Sequence, residues 1–302
     1  MSDNLDTLQI NFGTEGLWLI NTTLALIMFG VALGISLDDF RRLFQQPKIL
    51  LTGIVSQFFL LPLVTFVFIY LVAPLPSIAL GMIMVAACPG GNISNFMTQM
   101  AKGNAALSVS LTAFATLASL IMTPFNLHFW GHLYPPTAAI LQKIELDPLA
   151  LVKLVVLILG IPLLMGMWLR SRKPTLANQA SRLLKPFSLL VFILFILVAF
   201  YNNFTIFTRY VHYVLVLVIA HNILALLTGF YTAKVMNLSR KNQKTLSIET
   251  GIQNAGLGLL LIFGFFEGLG GMALLVAFWA IWDIFSGLLL ATYWSREKQD
   301  GL

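Results

Sequence analysis

Cysteine is almost missing from this chain: Cys88 is the single one in 302 residues. That excludes an internal disulfide and leaves a thiolate metal site without partners, so Cys88 is read as a small packing residue. Charge is also scarce. Asp, Glu, Lys and Arg make up 10% of the chain against 58% apolar residues, and the mean hydropathy is +0.88. This composition lies outside the soluble class and describes a polytopic membrane protein. The first sixteen residues hold Asp3, Asp6 and Glu15 but no Lys or Arg, so the positive start of a signal peptide is missing and a short polar tail is expected. Low-complexity stretches and long linkers are absent, and no second soluble domain is expected. Histidine occurs four times without metal-ligating spacing. The basic balance, 18 Lys and Arg against 12 Asp and Glu, is read as topological, and nothing supports nucleic-acid binding.

What is present is a series of long apolar runs. Nine candidate spans fall at approximately 17–37, 49–73, 77–101, 104–126, 148–169, 186–204, 209–236, 245–266 and 270–294. When alternate loops are placed on opposite sides, only Lys143, Lys153 and Arg209 lie on one face and the other 15 basic residues on the other. This asymmetry puts the N-terminus outside and the C-terminus in the cytoplasm. The outer segment from His128 to Asp147, with Trp130, Tyr134, Pro135 and Pro136, reads as an interfacial loop. The inner segment from Arg170 to Lys185 reads as a basic loop along the membrane surface.

Two spans are interrupted. In Ala86-Ala87-Cys88-Pro89-Gly90-Gly91-Asn92-Ile93-Ser94-Asn95, a proline without an N–H and two glycines should break the helix. Hydrocarbon offers nothing to the freed backbone groups, so such a break needs protein or a polar cavity around it, and it commonly marks a binding site. A second interruption runs from Ser247 to Gly256, through Glu249, Thr250, Gly251, Gln253 and Asn254. Each is followed by a long apolar span. With one span fewer before the first break than the second half contains, the pattern reads as an inverted repeat that has lost its first helix.

Glu249 carries the most information, because a carboxylate inside a span is costly without a partner. Lys244, one turn earlier, is read as snorkelling to the cytoplasmic interface. A bound cation is then the natural partner, and Ser94, Asn95, Ser108 and Thr112 offer the hard oxygens that alkali ions prefer. Ser108 and Thr112, four apart, share a helix face. The plainer reading of such hydroxyls is a bond back to the carbonyl one turn before. Gln57 is either interhelical glue or an ion ligand. Asp283 is the other deep carboxylate, and its plainer reading is a protonated or helix-capping carboxyl. For His221-Asn222 a bond to a neighbouring helix is preferred over a cavity role. His128, His132 and His212 are read as interfacial. An intramembrane enzyme would need a nucleophile with a base, or metal-ligand histidines, on facing helices; neither pattern is found, and no enzyme is expected.

Cys88-Pro89-Gly90-Gly91-Asn92-Ile93-Ser94-Asn95, then Lys102-Gly103-Asn104, Leu107-Ser108 and Thr112, together with Glu249-Thr250-Gly251-Ile252-Gln253-Asn254, resemble the two crossover motifs of the bile acid:sodium symporter family. The resemblance runs from Leu17 to Trp294. It implies an all-α fold of nine transmembrane helices with two broken, crossing helices. Its core comprises about 49–126 and 209–294, and its panel about 17–37 and 148–204. It implies one sodium site from Ser94, Asn95, Ser108, Thr112 and Glu249. A second would comprise Gln57, Glu249, Gln253 and the carbonyls of Thr250 and Ile252, which favours the ligand reading of Gln57. The substrate is then expected at Asn92, Ile93, Asn254 and Asp283, its carboxylate near the first three and Asp283 standing where bacterial members carry a His. One carboxylate shared by two sodium ions is positive when full, and an anionic substrate completes the balance. The implied activity is sodium-coupled import of an organic anion, bile-acid-like or a small carboxylate such as pantoate, across a bacterial inner membrane. A monomer with sodium as coupling ion and no cofactor is expected. The rival expectations are a proton-coupled carrier on this fold and a non-transporting sensor.

Overall fold

A computed structural model describes residues 5–6, 8, 13–144, 148–202 and 204–297, and these are all-helical. Thirteen helices follow in order: α1 (Gly13–Ala32), α2 (Leu37–Phe44), α3 (Pro47–Val72), α4 (Pro76–Ala87), α5 (Ile93–Met100), α6 (Ala105–Leu133), α7 (Pro135–Lys143), α8 (148–172), α9 (Pro174–Asn202), α10 (Phe204–Val235), α11 (Arg240–Gly251), α12 (Ala255–Phe265) and α13 (Gly270–Ser295). Pro47–Val72, Ala105–Leu133, Thr208–Val235 and Gly270–Ser295 are each long and apolar enough to cross a membrane. By contrast, α4 and α12 are apolar but only 12 and 11 residues long. They are the apolar halves of the two interrupted elements.

The breaks fall where the Pro-Gly chemistry requires. Helix α4 stops at Ala87 and α5 starts at Ile93; α11 stops at Gly251 and α12 starts at Ala255. The second break is narrower than the polar run suggests, because Ser247 to Gly251 remain helical and Glu249 sits on α11. Proline also shapes α3. The ring of Pro62 excludes an ordinary bond to the carbonyl four residues earlier, and the chain responds with a π-helical turn over Ser56–Leu60. The freed Phe58 carbonyl accepts the Asn126 amide at 3.1 Å. That widened turn carries Gln57, which is 5% exposed.

Helix α4 is buried from Ser77 to Ala87 and packs against α13, α6 and α3. Gly81 lets it approach α13: a Cβ there would stand 3.1 Å from the Met272 Cα. Close packing through small residues is the principal attraction between helices in lipid, where apolar burial alone contributes little. The part of the polar tail that is described is anchored. Leu5 is fully buried, the Asp6 carboxylate accepts the Ser77 N–H at 2.8 Å, and the Leu8 carbonyl accepts the Gly270 N–H at 2.7 Å. An acidic group at a helix N-terminus contributes about 0.3–1 kcal/mol.

Three loop-level expectations are corrected. The interfacial segment from His128 is helical instead: α6 continues through Pro124 to Leu133 and α7 follows at once, while 145–147 lie outside the described residues. The basic inner segment is also helical, with Lys173 alone separating α8 from α9. Pro174 and Pro135 start their helices at positions where the missing N–H would be unpaired anyway. Lys244 does not snorkel. It is 5% exposed, and its ammonium donates to the carbonyls of Ala101 at 3.3 Å and Trp294 at 3.1 Å while pairing with Glu297 at 3.0 Å. The carbonyl-bearing C-termini of two helices offer it more than the interface does.

Candidate functional site

The two breaks cross each other. Gly90 and Gln253 form an isolated antiparallel β-bridge, the Gly91 N–H donates to the Ile252 carbonyl at 2.8 Å, and the Asn254 N–H donates to the Pro89 carbonyl at 2.9 Å. Side chains satisfy several of the other freed backbone groups. Thr123 donates to the Ala87 carbonyl at 2.6 Å, Gln57 to the Cys88 carbonyl at 2.9 Å, and Asn222 to the Gly251 carbonyl at 2.8 Å. The Gln253 N–H donates to Asp283 Oδ2 at 3.1 Å. This pairing is what allows non-helical backbone deep in a membrane protein. Glycine is required at the crossing point. A Cβ on Gly90 would lie 2.8 Å from the Glu249 carbonyl oxygen, and one on Gly91 would lie 2.9 Å from that of Gln253.

Glu249 lies at this crossing, 6% exposed. Ser94 on α5 donates to Oε1 at 2.5 Å, Ser108 on α6 also donates to Oε1, and Thr112 on α6 donates to Oε2 at 2.8 Å. Asn95 Oδ1 lies 2.8 Å from the Ser108 hydroxyl and 3.3 Å from that of Thr112. The five residues that sequence pattern grouped therefore form one connected set of oxygens. The plainer reading of these hydroxyls holds only in part: the Thr112 hydroxyl is within 2.9 Å of the Ser108 carbonyl, yet it also lies 2.8 Å from Glu249 Oε2. No ion pair among the described residues reaches Glu249. Hard oxygens around one buried carboxylate suit an alkali cation.

A second group adjoins the first on its α3 side. Gln57 donates to Gln253 Oε1 at 3.0 Å, Gln253 Nε2 donates to the Thr250 carbonyl at 2.6 Å, and the hydroxyls of Thr250 and Ser56 are 2.9 Å apart. The carbonyls of Thr250 and Ile252 each accept one hydrogen bond, and a carbonyl has a second lone pair. A cavity of about 20 Å³, room for one water-sized occupant, is lined here by Gln57, Gly90, Leu111, Glu249 and Thr250.

The positions expected to meet a substrate sit elsewhere on the crossing. Asn92 and Ile93 are exposed at the start of α5, where the Asn92 side chain makes no cap bond. Asn254 is half-buried, and its side chain caps α12 by accepting the Leu257 N–H at 3.1 Å. Asp283 is 3% exposed and lies under the second break, on the Gln253 N–H. His221 bonds a neighbouring helix, as expected, with Nε2 2.7 Å from the Thr65 hydroxyl.

Sequence reasoning missed Ser56, Thr98 and the partnership of Asn222 with Gly251. Thr98 stands 3.3 Å from the Ser108 hydroxyl, and its position four residues after Ser94 could have placed it on the same helix face. Ser56 and Asn222 are single polar residues in apolar helices, and their partners are revealed only by packing.

Residues 22–209 match the model of the Sodium Bile acid symporter family. The sodium-dependent transporter YocS of Bacillus subtilis is 31% identical over 285 residues, 93% of this chain and 85% of that protein. The chloroplastic sodium/metabolite cotransporter BASS1 of Arabidopsis thaliana is 32% identical over 240 residues, 79% of this chain and 57% of that longer protein. The ileal sodium/bile acid cotransporter of Cricetulus griseus is 27% identical over 283 residues, covering 92% and 79% respectively. These relatives are named as transporters rather than enzymes. With more than half of the chain inside the family model and a relative above 30% identity along nearly all of it, the protein belongs to the sodium bile acid symporter family.

Proposed function

We propose that the protein is a sodium-coupled secondary symporter that imports an organic anion by alternating access. The observation that carries this reading is the convergence of Ser94, Asn95, Ser108 and Thr112 on the buried carboxylate of Glu249. A first sodium ion takes these oxygens as ligands. The hydroxyls turn their protons away from the carboxylate and offer lone pairs, so a buried anion gains a cation without leaving the protein. A second ion takes Gln57, Glu249, Gln253 and the carbonyls of Thr250 and Ile252. With both ions in place the crossing is ordered and positive. The carboxylate of the substrate then meets Asn92, Ile93 and Asn254, at the N-terminal N–H groups of α5 and α12 and the positive ends of their dipoles.

The chain spans a bacterial inner membrane nine times, with its N-terminus outside and C-terminus in the cytoplasm, and works as a monomer. Its two broken helices are the matching elements of an inverted repeat that has lost its first helix. The core, about 49–126 and 209–294, rocks against the panel, about 17–37 and 148–204, to change access. The substrate is bile-acid-like or a small carboxylate such as pantoate. Uptake of radiolabelled candidate anions into right-side-out vesicles, with and without an inward sodium gradient, tests the coupling. Uptake should follow the sodium gradient; equal uptake in its absence, or uptake that follows only a pH gradient, overturns it. Ligand-stabilised protein with no flux would point to a sensor.

A further inference from the structure

We propose that Asp283 and Asn222 are positioning residues for the second sodium ion, holding the crossing peptide 251–253 in register through contacts separate from those of Glu249. The inference rests on the sodium reading given above. At the end of α11 the Ile252 N–H keeps its helical bond to the Ile248 carbonyl at 2.9 Å, but the Gly251 carbonyl and the Gln253 N–H are held by side chains from other helices. Asp283 on α13 accepts the Gln253 N–H at 3.1 Å, and Asn222 on α10 donates to the Gly251 carbonyl at 2.8 Å. The same Asn222 amide lies 3.5 Å from Asp283 Oδ1, so the two side chains stand together. All three participants are buried: Asn222 is 0%, Gln253 3% and Asp283 3% exposed.

The consequence falls on the side chain of Gln253. With its backbone pinned by Asp283, Gln253 can reach Gln57 at 3.0 Å and the Thr250 carbonyl at 2.6 Å, the groups assigned to the second ion. The adjacent Ile252 carbonyl is presented toward Gly91 by the same register. The clamp is itself fixed. His221, next to Asn222, is tied to Thr65 at 2.7 Å and packs on Trp279, one turn before Asp283. The hydroxyls around Glu249 share none of these contacts. Loss of the clamp therefore weakens one ion and spares the other. Accepting a buried N–H gives an acidic side chain at this depth a structural task.

The experiment uses purified full-length protein in detergent and reads the rise in unfolding temperature as NaCl replaces KCl at constant ionic strength, a readout that needs no known substrate. For the wild type, stabilisation should be cooperative, with a Hill coefficient above 1. For Asp283→Ala, leaving a buried N–H unpaired should raise the half-maximal sodium concentration by roughly tenfold and bring the Hill coefficient to about 1, with first-site stabilisation retained. Asp283→Asn keeps an acceptor for the Gln253 N–H and should restore sodium dependence to within about threefold of the wild type. Asn222→Leu should fall between them. If Asp283→Ala does not fold, Asp283→Asn and Asn222→Leu decide. Loss of cooperativity in Asp283→Asn overturns positioning in favour of a charge role, and unchanged cooperativity in Asn222→Leu removes the clamp. A wild type equally stable in sodium and potassium would instead overturn the sodium reading itself.

Discussion

Ser94 and Glu249, 155 residues apart in the chain, meet at 2.5 Å across the crossing of the two broken helices. One belongs to the half-helix after the first break and the other to the half-helix before the second. A cation held by both would join the two elements whose relative position defines the candidate site.

Removing single oxygens should grade the sodium response. Thr112→Val keeps the shape of the side chain but takes one hydroxyl from Glu249 Oε2. The half-maximal sodium concentration for uptake is expected to rise about tenfold, the equivalent of one charge-assisted hydrogen bond. Glu249→Gln should abolish sodium-dependent uptake and sodium stabilisation altogether. Wild-type sodium dependence in either variant would remove that residue from the site.

The backbone crossing makes its own prediction. Alanine at Gly90 would place its Cβ 2.8 Å from the Glu249 carbonyl oxygen and 3.2 Å from Oε2. Overpacking of this kind costs about 1–3 kcal/mol, or a fall of several degrees in Tm at roughly 2–4 °C per kcal/mol. Gly90→Ala should also lose sodium stabilisation, because the helices can separate only by moving Glu249. Thermal unfolding in detergent checks both, and an unchanged Tm would mean that the crossing is looser than this geometry.

Asn254 combines a cap with an expected substrate contact, and two substitutions separate these roles. Its side chain accepts the Leu257 N–H at 3.1 Å, and Asn254→Ala should cost about 1 kcal/mol. Asn254→Ser retains a capping oxygen but loses the amide. A serine variant with wild-type Tm and a raised KM for the transported anion would assign the amide to substrate. Wild-type transport by that variant would leave Asn254 with capping alone.

Just past the C-terminal end of α13, the Arg240 guanidinium at 2.7 Å and then the Lys244 ammonium hold the Glu297 carboxyl below the ordinary glutamate range. A depressed carboxylate contributes stability above its unfolded pKa, about 4.3, and loses it as pH falls through the folded value. Glu297→Gln should therefore lower Tm by the same amount at pH 7 and pH 6, with the gap to wild type closing at about pH 4 and below. A gap that widens on acidification would contradict the pairing. Lys244→Met, which keeps most of the buried volume of the lysine stem, should lower Tm less than Lys244→Ala, which leaves a cavity.

Much of the site was legible in the chain because its chemistry is local. Pro89-Gly90-Gly91 announces a break wherever it stands, and the spacing of Ser108 and Thr112 puts them on one helix face. A carboxylate at Glu249, in an apolar span, demands a partner on energetic grounds alone. Other features were not legible because they depend on neighbours from distant elements. Lys244 reads as an interfacial residue until the carbonyl ends at Ala101 and Trp294 are brought to it. The segments 128–133 and 174–185 carry loop-like residues, yet they extend helices, since prolines at helix starts and exposed polar faces are compatible with helix. Thr98 and Ser56 are ordinary hydroxyl residues until packing sets them beside Ser108 and Thr250.

By itself, the sequence determined the membrane class and the two breaks and pointed to oxygen-bearing side chains around Glu249, because hydropathy, a missing N–H and a buried charge act at the residue that carries them. Only the tertiary structure decided that the breaks cross antiparallel, that the hydroxyls of Ser94, Ser108 and Thr112 reach the same carboxylate, and that Asp283 lies beneath the peptide of Gln253. Those facts follow from how helices pack, and packing depends on the shapes of all the surfaces in contact, which no single stretch of the chain contains.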